Sequence, residues 1–236
     1  MRVLIIPSWF PRREDDFVGS YFLEQAGALQ GTGVDTSVLV LDFYGWRQLT
    51  QLWGPKQRGG WGSWNGVSVM RHRSPAIYSP SPRLMANRWQ QQSLRVVEGH
   101  FEQVGRPDVI VAHSLFYAGF AASAIGEKYD IPYVLVEHSS RFYRGLVRKS
   151  EHPGLKRVSE GARVRLAVSA DLIARLTGTL GCDDWGVLPN SVDSRFLEAP
   201  LATPAQDIFS FIAVGSLVRH KRFDLLIDAF QSAFRE

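Results

Sequence analysis

The chain has 236 residues, of which 45% are hydrophobic and 21% charged, and its formal net charge is +4. This composition is typical of a soluble globular protein and excludes a disordered or low-complexity chain. The single cysteine, Cys182, excludes an internal disulfide framework and agrees with a reducing compartment.

The start of the chain predicts a buried strand rather than a targeting segment. Its apolar run at residues 3–6 is too short for a signal peptide, since Pro7 interrupts it. No stretch of the sequence approaches the length of a membrane-spanning helix. We therefore expect the protein in the cytoplasm.

The first half of the chain alternates between predicted strands and helices. Short runs of strand formers predict strands at residues 3–6, 36–41 and 66–71. Residues 21–29 and 83–104 predict helices. The fingerprint G-x-G-x-x-G does not follow the first strand, which argues against a dinucleotide-binding dehydrogenase.

A loop rich in tryptophan and glycine is predicted at residues 42–66. It contains Trp46, Trp53, Trp61 and Trp64. Indole rings stack on sugar rings, so this loop is either a cover for an acceptor sugar or a surface excursion packed on its own domain.

Two histidines follow two consecutive predicted strands. His113 comes directly after residues 108–112, and His138 comes two residues after the strand at 132–136. Because the carboxyl ends of parallel strands share one edge of a sheet, both histidines are expected at a cleft. Each is either a structural histidine or a ligand-binding one.

A basic stretch, residues 141–165, follows the second histidine. It either holds anionic head groups or a pyrophosphate, or it is a solvated helix face. No nucleic-acid motif accompanies it. Glu137, just before this stretch, either orients an imidazole, binds an acceptor hydroxyl or pairs with Arg141 or Arg144.

The rest of the chain predicts the end of one α/β domain and the beginning of another. Residues 165–168 and 186–188 predict two more strands. Residues 209–214 predict a strand, and 223–234 carry apolar side chains at helical spacing. The loop between them, SLVRHKR, combines basic side chains with a helix start, an arrangement that binds phosphate.

The segments PNSVDSRF and FIAVGSLVRHKRFDLLIDAF resemble the P-N-G-V-D-x-x-x-F linker and the V-G-R-L-x-x-x-K-G-x-D-x-L-I-x-A-F segment of glycosyltransferase family 4. The opening W-F-P followed by Gly19, Gln25 and Ala26 is similar to the family's first loop and helix. Two positions depart from the family pattern: Ser191 replaces a usual Gly, and Ser216 replaces an Arg that grips the donor diphosphate.

The resemblance implies the GT-B fold. We expect an acceptor-side domain at 1–190 with a Rossmann-like, doubly wound parallel sheet, a linker at 191–207, and a truncated second Rossmann-like domain at 208–236. In the family, an acidic segment that contacts the donor sugar lies beyond the position of Glu236.

The resemblance also implies a chemistry: a nucleotide-sugar is the donor co-substrate, its sugar passes to a glycan or lipid-linked acceptor with retention, and no cofactor or metal is needed. The residues implied are His138 and His113 for catalysis, Gly19, Ser216, Arg219 and Lys221 for the donor diphosphate, and Glu137 and Arg141 for the acceptor.

Because most of the donor domain is expected to be missing, we expect weak or no activity from this chain alone. The alternative is a non-catalytic acceptor-binding or interaction module. A nucleotide-sugar epimerase of the same fold is disfavoured by the linker and by Lys221.

Overall fold

The structure, a computed structural model, describes residues 1–12, 16, 18–44, 59–75, 81–192 and 209–234. The chain divides into two compact units, Met1–Ser194 and Arg195–Glu236, and each is described by itself.

The first unit is built on one eight-stranded sheet. Its strands, in chain order, are β1 (Arg2–Pro7), β2 (Asp35–Tyr44), β3 (Gly59–Trp64), β4 (Val67–Pro75), β5 (Val109–His113), β6 (Tyr133–Glu137), β7 (Val164–Ala167) and β8 (Trp185–Val187). Their order in space is β3-β4-β2-β1-β5-β6-β7-β8. All neighbours are parallel except β3 and β4. The predicted α/β class with a Rossmann-like parallel sheet is confirmed.

Helices connect the parallel strands. They are α1 (Ser20–Gly31), α2 (Pro82–Val104), α3 (Phe120–Tyr129), α4 (His152–Gly161) and α5 (Ala170–Leu180). A π-helical turn (Leu115–Gly119) precedes α3, and a 3-10 turn (Lys149–Glu151) precedes α4. The basic stretch predicted at 141–165 therefore contains a turn and a short helix. No helix in the described ranges is long and apolar enough to cross a bilayer.

The two faces of the sheet bury different side chains because successive residues of a strand point to opposite faces. In β1, Leu4 and Ile6 face the core that is completed by α2 to α5, whereas Val3 and Ile5 face the core under α1. Phe22 is the large fully buried side chain that α1 contributes.

The predicted tryptophan loop differs from the structure in its last part. Residues 59–64 form β3, the edge strand that pairs with β4, and the glycines there gave no alternating pattern from which a strand could be predicted. The Trp64 ring packs edge-on against Phe10, with ring centroids 5.8 Å apart. For Trp61 and Trp64 the structure agrees with packing on the domain. Trp46 and Trp53 lie outside the described residues.

The described part of the second unit, residues 209–234, contains a 3-10 turn (Arg219–Lys221) and one helix, α6 (Phe223–Ala233). The strand predicted at residues 209–214 is not formed. An extended segment becomes a strand only by pairing, and the described part of this unit holds no strand to pair with it. Phe211 packs instead against Phe230 and Phe234, at centroid distances of 5.4 and 5.6 Å.

Candidate functional site

The two predicted histidines meet at the carboxyl edge of the sheet. His113 is the last residue of β5, and His138 follows the last residue of β6, its neighbour in the sheet. His113 Nδ1 and His138 Nε2 lie 2.9 Å apart, within hydrogen-bond distance. We call these two side chains the histidine pair.

Burial keeps both imidazoles of the pair neutral. The side chain of His113 is only 1% exposed, and burial lowers its pKa well below the usual range, with a smaller effect from His138. Burial lowers the pKa of His138 to about 4, although its hydrogen bond with Asn190 opposes the shift. Near neutral pH each ring therefore carries one N–H group and one bare nitrogen.

Of the two rings, His138 is the one that a ligand can reach. It is partly exposed, whereas His113 is enclosed beneath it. A third group, Asn190, extends the hydrogen bond of the histidine pair, since its Oδ1 lies 3.1 Å from His138 Nδ1. Asn190 belongs to the linker motif, but no local pattern predicts a role for it in the site, because its contact with His138 spans 52 sequence positions.

Helix α1 supplies the aromatic wall of the site. The Phe22 ring lies 4.7 Å from His113 and 5.2 Å from His138, and the Tyr21 ring lies 5.3 Å from His138. These apolar rings exclude water from the pair, which is why burial dominates both histidine pKa values. Burial also raises the pKa of Tyr21.

Gly19 precedes α1 at its N-cap, with a backbone φ of 81°. A Cβ atom there would lie 3.0 Å from Trp9 Cδ1 and 3.2 Å from the Trp9 carbonyl oxygen. Both the left-handed conformation and the close approach therefore require glycine. The structure places Gly19 in the first unit, at the start of the helix that lines the histidine pair.

Glu137 holds together the two loops that carry the pair. Its side chain is fully buried, and its carboxylate accepts hydrogen bonds from the backbone N–H groups of Leu115 at 2.7 Å, His138 at 3.0 Å and Ser139 at 2.6 Å. Burial raises its pKa, and the three backbone hydrogen bonds oppose that rise. The carboxylate fixes the backbone on both sides of the pair.

One sequence-based alternative for Glu137 is wrong in this structure. Its carboxylate forms no ion pair with Arg141 or Arg144, because it is fully buried and directed at backbone N–H groups. Its role toward an acceptor stays a prediction. Arg141 binds Glu151 at 3.3 Å and stacks on the Phe116 ring, 3.8 Å from its centroid.

Ser8, another residue that the sequence did not single out, connects β1 to the same loops. Its hydroxyl donates to the His113 carbonyl oxygen at 2.9 Å and accepts from the Ala118 N–H at 3.0 Å. No signal in the sequence pointed to it, since these contacts join positions more than 100 residues apart.

The remaining predicted donor residues lie in the second unit. Ser216, Arg219 and Lys221 are exposed, and the Lys221 N–H closes the 3-10 turn on the Val218 carbonyl oxygen. The neighbouring Arg222 binds Asp224 at 3.1 Å. Gly19 and these three residues belong to different units.

A cavity of about 340 Å³ lies beside the first turns of α2 and α4. We call it the helix-face cavity. Its wall combines aromatic rings, amides and charges of both signs, contributed by Phe116, Tyr117, Phe120, Asn87, Gln90, Arg83, Arg157, Glu127 and Glu151. Its volume falls within the range of small-molecule sites, and its wall is more polar than is usual for them.

Comparison with known proteins gives a family model, described as a glycosyl transferase 4-like domain, that matches residues 18–191. The catalytic domain of starch synthase IV from Arabidopsis thaliana, bound to ADP and acarbose, is similar with a TM-score of 0.54 and 13% identity over 82% of this chain and 52% of that chain. Alr3699/HepE from Anabaena, in complex with UDP and glucose, is similar with a TM-score of 0.52 and 14% identity over 82% and 45% of the two chains.

At such identities these likenesses concern the fold alone. The chain spans about half the length of both solved structures. No curated protein matches the sequence.

Proposed function

Because the chain belongs to the glycosyl transferase 4-like family, we propose that it acts in sugar transfer from a nucleotide-sugar to a glycan or lipid-linked acceptor, with retention of configuration. Its first unit has the Rossmann-like fold of GT-B glycosyltransferases. The observation that carries the proposal is the neutral histidine pair at the carboxyl edge of the sheet, within the residues that the family model matches.

In this proposal His138 binds a hydroxyl of the sugar or acceptor, and His113 positions it. The partial exposure of His138 and the enclosure of His113 support this division of roles. A neutral imidazole binds a hydroxyl without placing a charge near the anomeric carbon. An ordered ring, held by the Glu137-fixed backbone, loses little entropy when it does so.

The donor diphosphate is assigned to Lys221, Arg219 and Ser216 of the second unit. Exposed cations next to a helix start are suited to neutralise the charge that builds up on a leaving diphosphate. Such an interaction is stronger in the transition state than in the ground state, and it therefore accelerates transfer.

The acceptor is assigned to the helix-face cavity. Aromatic faces such as those of Phe116 and Phe120 stack on sugar C–H groups, while the amides of Asn87 and Gln90 bind hydroxyls. Arg141, predicted as an acceptor residue, takes part indirectly, because its guanidinium stacks on a face of the Phe116 ring.

The exposed apolar and basic residues after His138 support contact with a lipid-linked acceptor at a membrane surface. Tyr143 and Leu146 are 41% and 45% exposed, and Arg144 and Lys149 flank them. Exposed apolar surface with neighbouring cations favours an anionic bilayer surface.

The first experiment is a calorimetric titration of the chain with UDP, ADP, GDP and their glucose conjugates. We expect micromolar binding of one nucleotide that Lys221→Ala abolishes and that Lys156→Ala, which removes an exposed lysine of α4, leaves intact. NMR of the product formed with the bound donor then gives the anomeric configuration, and inversion contradicts the proposed mechanism.

Failure of every nucleotide to bind contradicts the donor assignment. It favours the second candidate function, a non-catalytic acceptor-binding module. The helix-face cavity favours this candidate specifically, because all its lining residues belong to the first unit.

A further inference from the structure

The histidine pair and Asn190 form a hydrogen-bonded chain whose direction decides what His138 offers to a ligand. Asn190 Oδ1 lies 3.1 Å from His138 Nδ1, and His138 Nε2 lies 2.9 Å from His113 Nδ1. The last atom of the chain, His113 Nε2, is buried and has no hydrogen-bond partner among the described residues.

The buried end fixes the direction of the chain. An N–H group without a partner is rarer in protein interiors than a bare acceptor, because the orphaned donor loses its hydrogen bond to water without compensation. His113 Nε2 is therefore the bare nitrogen, and the hydrogen of this neutral ring is on Nδ1. That N–H donates to His138, so His138 Nε2 is bare and its hydrogen is on Nδ1.

The exposed end gives the same direction independently. An Nδ1–H group on His138 needs an acceptor, and the Asn190 atom facing it is the carbonyl oxygen, not the amide nitrogen. A reversed amide would instead donate to His138 Nδ1, and the hydrogens along the chain would end on the buried His113 Nε2. Burial at one end and amide orientation at the other therefore agree.

We infer that Asn190 is a positioning residue that holds His138 as the Nδ1–H tautomer, so that His138 acts toward its ligand as a hydrogen-bond donor and not as a base. The ligand group that replaces Asn190 at Nδ1 is then an acceptor oxygen, such as that of a sugar hydroxyl. The assignment of this oxygen to a sugar rests on the proposed function, whereas the tautomer does not.

The location of Asn190 suits such an exchange. It is exposed and lies in the last described segment of the first unit, whereas the groups behind His138 are buried. An incoming oxygen that takes the place of Asn190 Oδ1 accepts the same N–H, and no ring has to turn or change its protonation.

The test is the tautomer itself, measured on ¹⁵N-histidine-labelled protein by long-range ¹H–¹⁵N correlation NMR without any nucleotide. In the unchanged protein we expect His138 and His113 both protonated at Nδ1 and bare at Nε2. Protonation of either ring at Nε2 overturns the inference, whatever the outcome of the nucleotide titration.

Three variants test the part played by Asn190. Asn190→Ala removes the acceptor, so the population ratio of the Nδ1–H to the Nε2–H tautomer of His138 is expected to fall roughly fivefold. Asn190→Asp keeps an acceptor oxygen, so the tautomer is retained and the pKa of His138 rises because of the added negative charge.

Ser191→Ala changes the exposed neighbouring side chain and is expected to leave both rings unchanged. An unchanged tautomer ratio in Asn190→Ala, or an equal change in Ser191→Ala, overturns the role of Asn190. Backbone amide spectra of all three variants verify that each remains folded.

Discussion

The replacement Glu137→Gln tests whether the two loops of the site are held by one buried carboxylate. In the native protein one oxygen of Glu137 accepts from His138 N and Ser139 N, and the other accepts from Leu115 N. A glutamine keeps one acceptor oxygen and puts an NH₂ group at the other position. One buried backbone N–H, most directly that of Leu115, then faces a donor instead of an acceptor.

The expected loss follows from that one orphaned donor. A buried N–H without a partner costs about 1–3 kcal/mol, and relief of the buried charge offsets part of it, so we expect Glu137→Gln to lose about 1–2 kcal/mol of unfolding free energy. Glu137→Ala orphans all three N–H groups and is expected to lose roughly 3–5 kcal/mol.

Urea unfolding at fixed pH measures both losses, with amide hydrogen exchange at Leu115 as a local readout. Glu160→Gln on α4 is the matched control, because that side chain is exposed and its removal is expected to change stability little. If Glu137→Gln is as stable as Glu160→Gln, or if the Leu115 amide keeps its protection against hydrogen exchange, the conclusion that Glu137 holds the two loops together is refuted.

Further predictions concern a glycine, a histidine and a surface. Gly19→Ala places a Cβ against Trp9 at a positive φ, and thermal melting is expected to show a loss of about 1–2 kcal/mol, whereas Gly27→Ala, with open space around it, is expected to be neutral or stabilising. Burial lowers the pKa of His138 from 6.5 to about 4 in the folded protein, so below pH 6.5 the unfolded chain binds a proton that the folded protein does not. The contribution of His138 to the unfolding free energy is therefore complete above pH 6.5 and is lost as the pH falls toward 4. In His138→Gln this part of the pH dependence, measured by urea unfolding from pH 7 to 4, is expected to be smaller. Charge reversal at Arg144 and Lys149 is expected to abolish co-sedimentation with anionic vesicles and to leave nucleotide binding unchanged, and vesicle binding that survives the reversal contradicts the proposed membrane surface.

The sequence predicted the sheet edge well because that prediction needed only local patterns. A buried strand is recognisable from a short apolar run, and a parallel sheet brings all strand ends to one edge. For this reason the sequence alone predicts that His113 and His138 lie at one edge of the sheet, and the structure places their ring nitrogens 2.9 Å apart.

The partners of the site could not be predicted in the same way. Whether Glu137 faces a ligand or the backbone depends on the Leu115 amide, which comes from a different loop. Strand β3 and residues 209–214 show that strand formation also depends on partners that a local pattern does not reveal. The glycine-rich segment of β3 has a weak strand pattern but forms a strand because β4 pairs with it. Residues 209–214 have a strong strand pattern but form no strand, because the described part of their unit contains no strand to pair with.

The site is assembled from distant parts of the chain, and this has a kinetic consequence. The bond between the two histidines spans 25 positions, that from His138 to Asn190 spans 52, and that from Ser8 to Ala118 spans 110. Folds dominated by contacts of such high sequence separation fold slowly, because loop-closure entropy must be overcome before the contacts form. The contacts of Ser8 and Asn190 around the histidine pair therefore require distant parts of the chain to be in place, and their NMR signals are expected to appear later during refolding than that of the bond between the two histidines.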